Sequence, residues 1–563
     1  MPRSLPVLAV LALLGGCDGF LVPQQAPHVL LQGRWNGRGA SGGHLGIRPR
    51  SLAGFSAFRR EACSLRDPTM QLKSEVTEEL QKLVQEQLSS VKGIDALDRT
   101  AELFSNSVPN RPWEALFTSL AASDTFRSSV WASKTMMMDG VPAFNDFVTD
   151  CFTMSDVERH AAEYPSSYAA QGTLSPDGAG GWFMKRVGAA QAADASTKFG
   201  DVQESLKQGT VVLNSAGAYI SPLASVSLAV LEALQLPVGL NLYITAPKMQ
   251  TSAPPHTDKQ DVFVLQAQGA KHWRVYAPPE PSNKKEADPY ARGKGPDKLV
   301  LEELGEPLIE TVLNPGSLLY MPAGFPHTTD TIQGGSDETS IHLTIGIDTH
   351  IWGLTYAYMR QCALQRAGQK ITYNDREATS MSSEDYLLIN EPLPLGFLAA
   401  DIIPKDPSQA SLSRTQRQAA SARAVTEHMA LELAKRMIAC EKARFEGTSA
   451  EELVDKFQLR QAAVRFVQHY QRVMGIQRRM YLDGKIGISA APSTLMRVQQ
   501  YMGMLDAAME ELIAWSQGRD QPVAAAAAPV AAPAASVAGE DKPAAKKGMG
   551  MGGAGAAKKK KKK

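Results

Sequence analysis

Residues 241–276 read NLYITAPKMQTSAPPHTDKQDVFVLQAQGAKHWRVY, and the fold turns on this stretch. At its centre, His256-Thr257-Asp258 sets an imidazole and a carboxylate two residues apart. Successive side chains of an extended strand point to opposite faces, so His256 and Asp258 are expected on one face and Thr257 on the other. The pair suits a borderline-hard divalent metal, and a second His would complete the two-His, one-carboxylate set that suits Fe(II). His327 is the candidate. It follows turn chemistry at Asn314-Pro315-Gly316, a short apolar run from Ser317 to Met321 that reads as a strand, and a second turn at Pro322-Ala323-Gly324.

A His-x-Asp triplet arises by chance, so the flanks decide its weight. Asp261 to Gln268 alternates apolar and polar for part of its length, Gly269-Ala270 breaks it, and Lys271, Trp273 and Val275 fall on one face of the returning strand. A Lys on the side of a Trp and a Val is either a snorkelling stem or a cation kept inside for an anion. An open Fe(II) site working with a dicarboxylate needs such a cation.

Three blocks carry a resemblance to a known family. They are N-x-Y-x-T…PPHxD…VFxLQxxGxKHWRxY at Asn241 to Tyr276, GEPxxETVLxPGxLLYxPxGxxH at Gly305 to His327, and S-x-H-L-T at Ser340 to Thr344. Together they resemble the JmjC-type cupin oxygenases that use Fe(II) and 2-oxoglutarate, in particular the ribosomal oxygenase branch of histidyl-hydroxylase and lysine-demethylase type. The resemblance implies a double-stranded β-helix. It also implies Fe(II) on His256, Asp258 and His327, and 2-oxoglutarate held by Lys271, Tyr243 and Thr344, with Asn241 and His342 lining the pocket at most. The loop between Tyr243 and His256 and the segment Thr328 to Ser340 are longer than in the family pattern. Ala323 and Ser317 stand where Arg and Asp are common.

The resemblance further implies hydroxylation of a protein side chain, His or Arg of a ribosomal protein. Lysine demethylation of a histone or other protein is the alternative of the same chemistry, and a non-catalytic cupin binding module is the alternative of another class.

Around this centre the 563 residues are 44% hydrophobic and 21% charged, ordinary soluble composition, and the net charge of +1 gives no global field for nucleic acid. Five scattered Cys (17, 63, 151, 362 and 440) hold no C-x-x-C pair, which excludes a zinc finger of the usual spacing and argues against a disulfide framework.

Residues 1–17 are signal-peptide-like: Arg3, an apolar run from Leu5 to Leu14, then Gly15-Gly16-Cys17. Residues 18–66 read as a disordered transit peptide, since Gly19 to Arg60 holds six Arg (34, 38, 48, 50, 59 and 60) and no Asp or Glu. The tandem resembles the bipartite presequence of complex plastids. A bacterial lipobox at Leu14 to Cys17 competes with it, and a nuclear or nucleolar address is the alternative raised by the Lys-rich tail. No transmembrane segment is expected in the mature chain.

Residues 67–202 read as a helical and mixed region, with a helix over Leu72 to Val91, a strand near Thr135 to Met138 and a surface loop over Thr173 to Gly181. The Met run at 136–138 reads as core filler. Residues 203–350 are the expected cupin, entered through Val211-Val212-Leu213 and a helix-like stretch from Ala224 to Leu236, and interrupted by a surface insertion from Pro278 to Lys298. Glu302, Glu303, Glu306 and Glu310 read as a solvated face.

Residues 351–516 read as helical. Val425, Met429, Leu433 and Met437 recur every fourth residue, and Ser449 to Glu452 is a capping box. The apolar stripe suggests a homodimer, and the resemblance adds a helical dimerisation module followed by a winged helix. Residues 517–563 form an Ala/Pro-rich tail ending in Lys558 to Lys563. From residue 521 onward, nine Lys stand against Glu540 and Asp541, suiting contact with RNA or an acidic surface. The expected class is therefore α+β: a jelly-roll cupin core between an N-terminal helical region and a C-terminal helical module.

Overall fold

The computed structural model describes residues 74–89, 112–174, 182–188, 195–278, 299–368, 388–389, 395, 414–442 and 444–481. The segment expected to be a presequence, the insertion beyond Pro278, the segment expected to be a winged helix and the Lys-rich tail lie outside the described residues.

Helices α1 (Ser74–Ser89) and α2 (Pro112–Ala122) precede strand β1 (Met136–Met138), and helices α3 (Pro142–Val148) and α4 (Met154–His160) lead to β2 (Ala169–Leu174) and β3 (Trp182–Arg186). Helix α5 (Phe199–Leu206), β4 (Thr210–Leu213) and helix α6 (Ser221–Leu234) bring the chain to β5 (Val238–Thr245) and β6 (Ala253–His256). Strands β7 (Asp261–Gln268), β8 (Lys271–Val275), β9 (Ile309–Leu313), β10 (Leu318–Met321), β11 (His327–Asp330) and β12 (Ser340–Ile347) follow. The chain then turns helical through α7 (Tyr356–Arg366), α8 (Arg414–Cys440), α9 (Ala450–Lys456) and α10 (Leu459–Tyr481).

The strands form two sheets, one in the order β1-β10-β7-β12-β5-β4-β2-β3 and one in the order β6-β11-β8-β9, with antiparallel neighbours throughout. This crossed arrangement is the expected double-stranded β-helix. The larger sheet runs past the expected cupin boundary at 203, because β1, β2 and β3 from the N-terminal region join it. Thr173, expected in a loop, continues β2 opposite Phe183, and Leu174 lies opposite Trp182.

Period-two alternation sorts the larger sheet into two faces. On β12, Ile341, Leu343, Ile345 and Ile347 join the core packed against the helices, while His342 and Thr344 face inward. On β7, Phe263, Leu265 and Ala267 face the helices, whereas Val262 and Val264 join Trp273, Val275, Leu319, Met321 and Phe325 between the sheets. Helix α6 is buried nearly all round: eleven of its side chains are buried. Met136 and Met138 are buried, as expected of core filler, and Glu302, Glu303, Glu306 and Glu310 are exposed.

The C-terminal helices join the same core. Gln477 on α10 exchanges two hydrogen bonds with the backbone of Val238 at the start of β5, at 2.8 and 3.1 Å. Arg478 ion-pairs with Glu232 of α6 at 2.5 Å. The stripe on α8 is covered within the chain: Met429, Leu433 and Met437 are buried in the core shared with α7 and α10. The stripe therefore needs no second subunit to cover it, and it loses its force as an argument for a homodimer. The side chain of Val425 lies outside the description. The capping box forms as expected, with Glu452 N donating to Ser449 Oγ at 3.2 Å and Ser449 N to Glu452 Oε2 at 2.9 Å.

Candidate metal centre

Strand β6 ends at His256 and β11 begins at His327, and the two residues are direct partners in the antiparallel register between these strands. Asp258 comes from the turn after β6, so the pleat invoked for the triplet stops one residue short of Thr257. A second turn holds it: Gly324 N donates to the Asp258 carbonyl at 3.0 Å, and Ala323 N to Asp261 Oδ1 at 2.9 Å. Gly324 has φ +83°, a conformation that a Cβ disfavours, which explains the glycine in this turn.

The three predicted donors converge. One ligand atom from each of His256, Asp258 and His327 lies within 4.8 Å of the others, and His327 Nε2 is 3.6 Å from Asp258 Oδ2. His256 Nδ1 lies 2.8 Å from the Pro254 carbonyl, and His327 Nδ1 lies 3.0 Å from the Phe325 carbonyl. A carbonyl only accepts, so each Nδ1 is the donor, and in the neutral ring this leaves the lone pair on Nε2. This is the protonation that metal binding requires.

Lys271 reaches into the same cleft from β8 and is 1% exposed, so its stem does not snorkel to solvent. Its Nζ donates to Thr245 Oγ1 at 2.9 Å; that hydroxyl lies 3.1 Å from Thr210 Oγ1, which in turn donates to the Ser252 carbonyl at 2.8 Å. Burying an ammonium is costly unless an anion or strong acceptors meet it. Tyr243 and Thr344 line the cleft with it, as does His342, whose ring stacks on Tyr243 at 4.9 Å. Asn241 does not; its Oδ1 accepts from Ser215 N at 2.7 Å, a backbone support away from the opening.

Several residues of the site escaped sequence reasoning. Trp182 on β3 lies stacked on His256, with ring centroids 5.4 Å apart and planes 20° apart. It sits beside the glycine-rich stretch before it, and nothing local marks it. Met321 and Thr329 line the cleft from β10 and β11. Thr245, the partner of Lys271, stood in the N-x-Y-x-T block without a role.

The profile of the JmjC domain matches residues 224–353. Over 109 residues the chain is 42% identical to the bifunctional lysine-specific demethylase and histidyl-hydroxylase NO66 of Aedes aegypti, covering 19% of this chain and 16% of that protein. Ribosomal oxygenase 1 of Gallus gallus is 42% identical over 130 residues, 23% of this chain and 20% of that protein, and its Homo sapiens counterpart is 41% identical over 116 residues, 20% and 16%. The chain thus spans a fifth or less of the length of these relatives. Among solved structures it is similar to Escherichia coli ycfD, at 18% identity and a TM-score of 0.29 over 55% of this chain and 69% of that one. The matched segment contains His256, Asp258, His327 and Lys271, and residues 224–353 of this chain are a JmjC domain of the cupin fold.

Proposed function

We propose that this chain is an Fe(II)- and 2-oxoglutarate-dependent dioxygenase that hydroxylates a protein side chain. The observation that carries the reading is the buried ammonium of Lys271 in the same cleft as the two imidazoles and the carboxylate. Two neutral imidazoles and one carboxylate are a donor set that would fit Fe(II). Bound there, the metal and 2-oxoglutarate supply the oxidation of a C–H bond to an alcohol by O2, with succinate and CO2 as co-products. The chain's own residues would bind and orient: His256, Asp258 and His327 would hold the metal, Lys271 would take the distal carboxylate, and Tyr243 and Thr344 would border it. A non-catalytic cupin has no use for this combination.

The relatives named above are ribosomal oxygenases and demethylase–hydroxylases, so a His or Arg of a ribosomal protein is the substrate we propose. Demethylation of a protein lysine is the second reading, supported by the same relatives. The full chain should consume 2-oxoglutarate only with Fe(II). Mass spectrometry of ribosomal proteins incubated with it should show the gain of one oxygen atom on His or Arg. Formaldehyde release from methyl-lysine peptides, without such a gain, would replace the first reading with the second. For compartment we propose a plastid, reached through the tandem presequence, and N-terminal sequencing from the native source should then begin beyond residue 17.

A further inference from the structure

The two candidate ligand rings are backed in the same way, each by the flat ring of a tryptophan. Trp182 stacks on His256 at 5.4 Å and 20°, and Trp273 stacks on His327 at 5.8 Å and 24°. The two imidazoles are 4.2 Å apart, centroid to centroid. Trp273 belongs to the JmjC block, two residues from Lys271. Trp182 comes from β3, the last strand of the larger sheet and well before the matched domain.

Each imidazole is pinned at Nδ1 by one carbonyl, which selects the tautomer but still lets the ring tilt about that bond. A flat indole against the ring face removes the tilt, because leaning toward it meets atoms and leaning away loses contact. The requirement is strict: productive geometry at a site is held within roughly 0.5 Å by the packing around it. Trp182 is itself fixed. It is 6% exposed and packs with Val212, Tyr243 and Ala253, its ring 6.4 Å from that of Tyr243.

We propose that Trp182 is a positioning residue of the metal centre, holding the His256 imidazole in the plane from which Nε2 addresses the metal. Strands ahead of the JmjC domain thus complete its metal site. The proposal rests on the metal reading above and assigns a role to a residue which that reading does not use.

The test uses the full chain and Co(II), a spectroscopic stand-in for Fe(II), without 2-oxoglutarate. Wild type, Trp182→Leu and Trp182→Phe are compared by calorimetric titration, by the visible absorption of the Co(II) protein, and by melting without metal. Trp182→Leu should weaken Co(II) binding by roughly 10- to 100-fold, the range for loss of an outer-shell partner, and should shift the absorption bands. Trp182→Phe keeps a flat ring and should recover most of the affinity and the wild-type spectrum. If Trp182→Leu does not fold, Trp182→Met, which fills volume without a ring plane, takes its place in the comparison.

Wild-type affinity and spectrum in the ring-less variant would overturn the proposal. So would a Phe variant as defective as the ring-less one, since that would make Trp182 a matter of volume alone. Wild-type protein that takes up no Co(II) would overturn the metal reading itself, and this proposal with it.

Discussion

His256 and His327 sit directly opposite each other across β6 and β11, with ring centroids 4.2 Å apart and planes at 56°. Strand pairing brings two residues distant in sequence to one point, so the metal site depends on the register of the smaller sheet as much as on its ligands. A one-residue slip would send one imidazole to the opposite face.

Loss of a ligand should therefore be more damaging than loss of its support. His327→Ala and Asp258→Ala should each lower metal affinity by more than the roughly 100-fold that removal of an outer-shell partner brings, and 2-oxoglutarate consumption should vanish. Calorimetric titration with Co(II) and a decarboxylation assay check this. Full activity in either variant would refute the ligand assignment.

Lys271→Ala separates metal binding from cosubstrate binding. It removes the buried cation and would leave the distal carboxylate without its counter-charge, a loss of roughly 3–5 kcal/mol. With about 1.4 kcal/mol per tenfold, the Michaelis constant for 2-oxoglutarate should rise more than about a hundredfold, while Co(II) affinity stays near wild type. Lys271→Arg should keep part of the activity, since the charge survives but its reach changes. An unchanged Michaelis constant in the Ala variant would remove Lys271 from the cosubstrate site.

Asp348 gives the fold a pH signature of unusual sign. Burial pushes its carboxyl up to about 7, against the opposing effect of Gln260, whose Nε2 donates to Oδ1 at 2.7 Å. An unfolded Asp titrates near about 3.9, so between about pH 4 and pH 7 the folded chain holds a proton that the unfolded chain lacks. Stability from this group is present at the acid end of that window and falls as pH rises through it, by at most roughly 1.4 kcal/mol per pH unit. Asp348→Asn should gain stability over wild type in urea denaturation at pH 8 and little at pH 4. A gap independent of pH would mean that the carboxyl titrates normally.

The docking of α10 on α6 should fail if one partner of its ion pair is lost. The side chains of Arg478 and Glu232 are 1% and 10% exposed. Glu232→Ala leaves a buried guanidinium without its carboxylate and should destabilise the chain by roughly 3–5 kcal/mol. Joint replacement of both by apolar residues of similar volume should restore much of that. Chemical denaturation of the three proteins tests it, and equal loss in single and double variants would count against the pair.

Sequence by itself determined what local rules encode. His256, Asp258, His327 and Lys271 could be chosen because each sits in a short block of alternating or turn-forming residues, and in such blocks the pleat and the glycine positions dictate where side chains go. The helices α1, α6 and α9 were legible for the same reason, through their spacing and caps. Only the tertiary structure decided the rest. It delivered Asp258 from a turn, tied Asn241 to Ser215, and drew β1, β2 and β3 into the larger sheet. It also covered the α8 stripe with α7 and α10, and laid Trp182 on His256. These are pairings between residues far apart in the chain. Neither strand periodicity nor a helical stripe names its partner: an apolar face reports that it will be buried, not what will bury it.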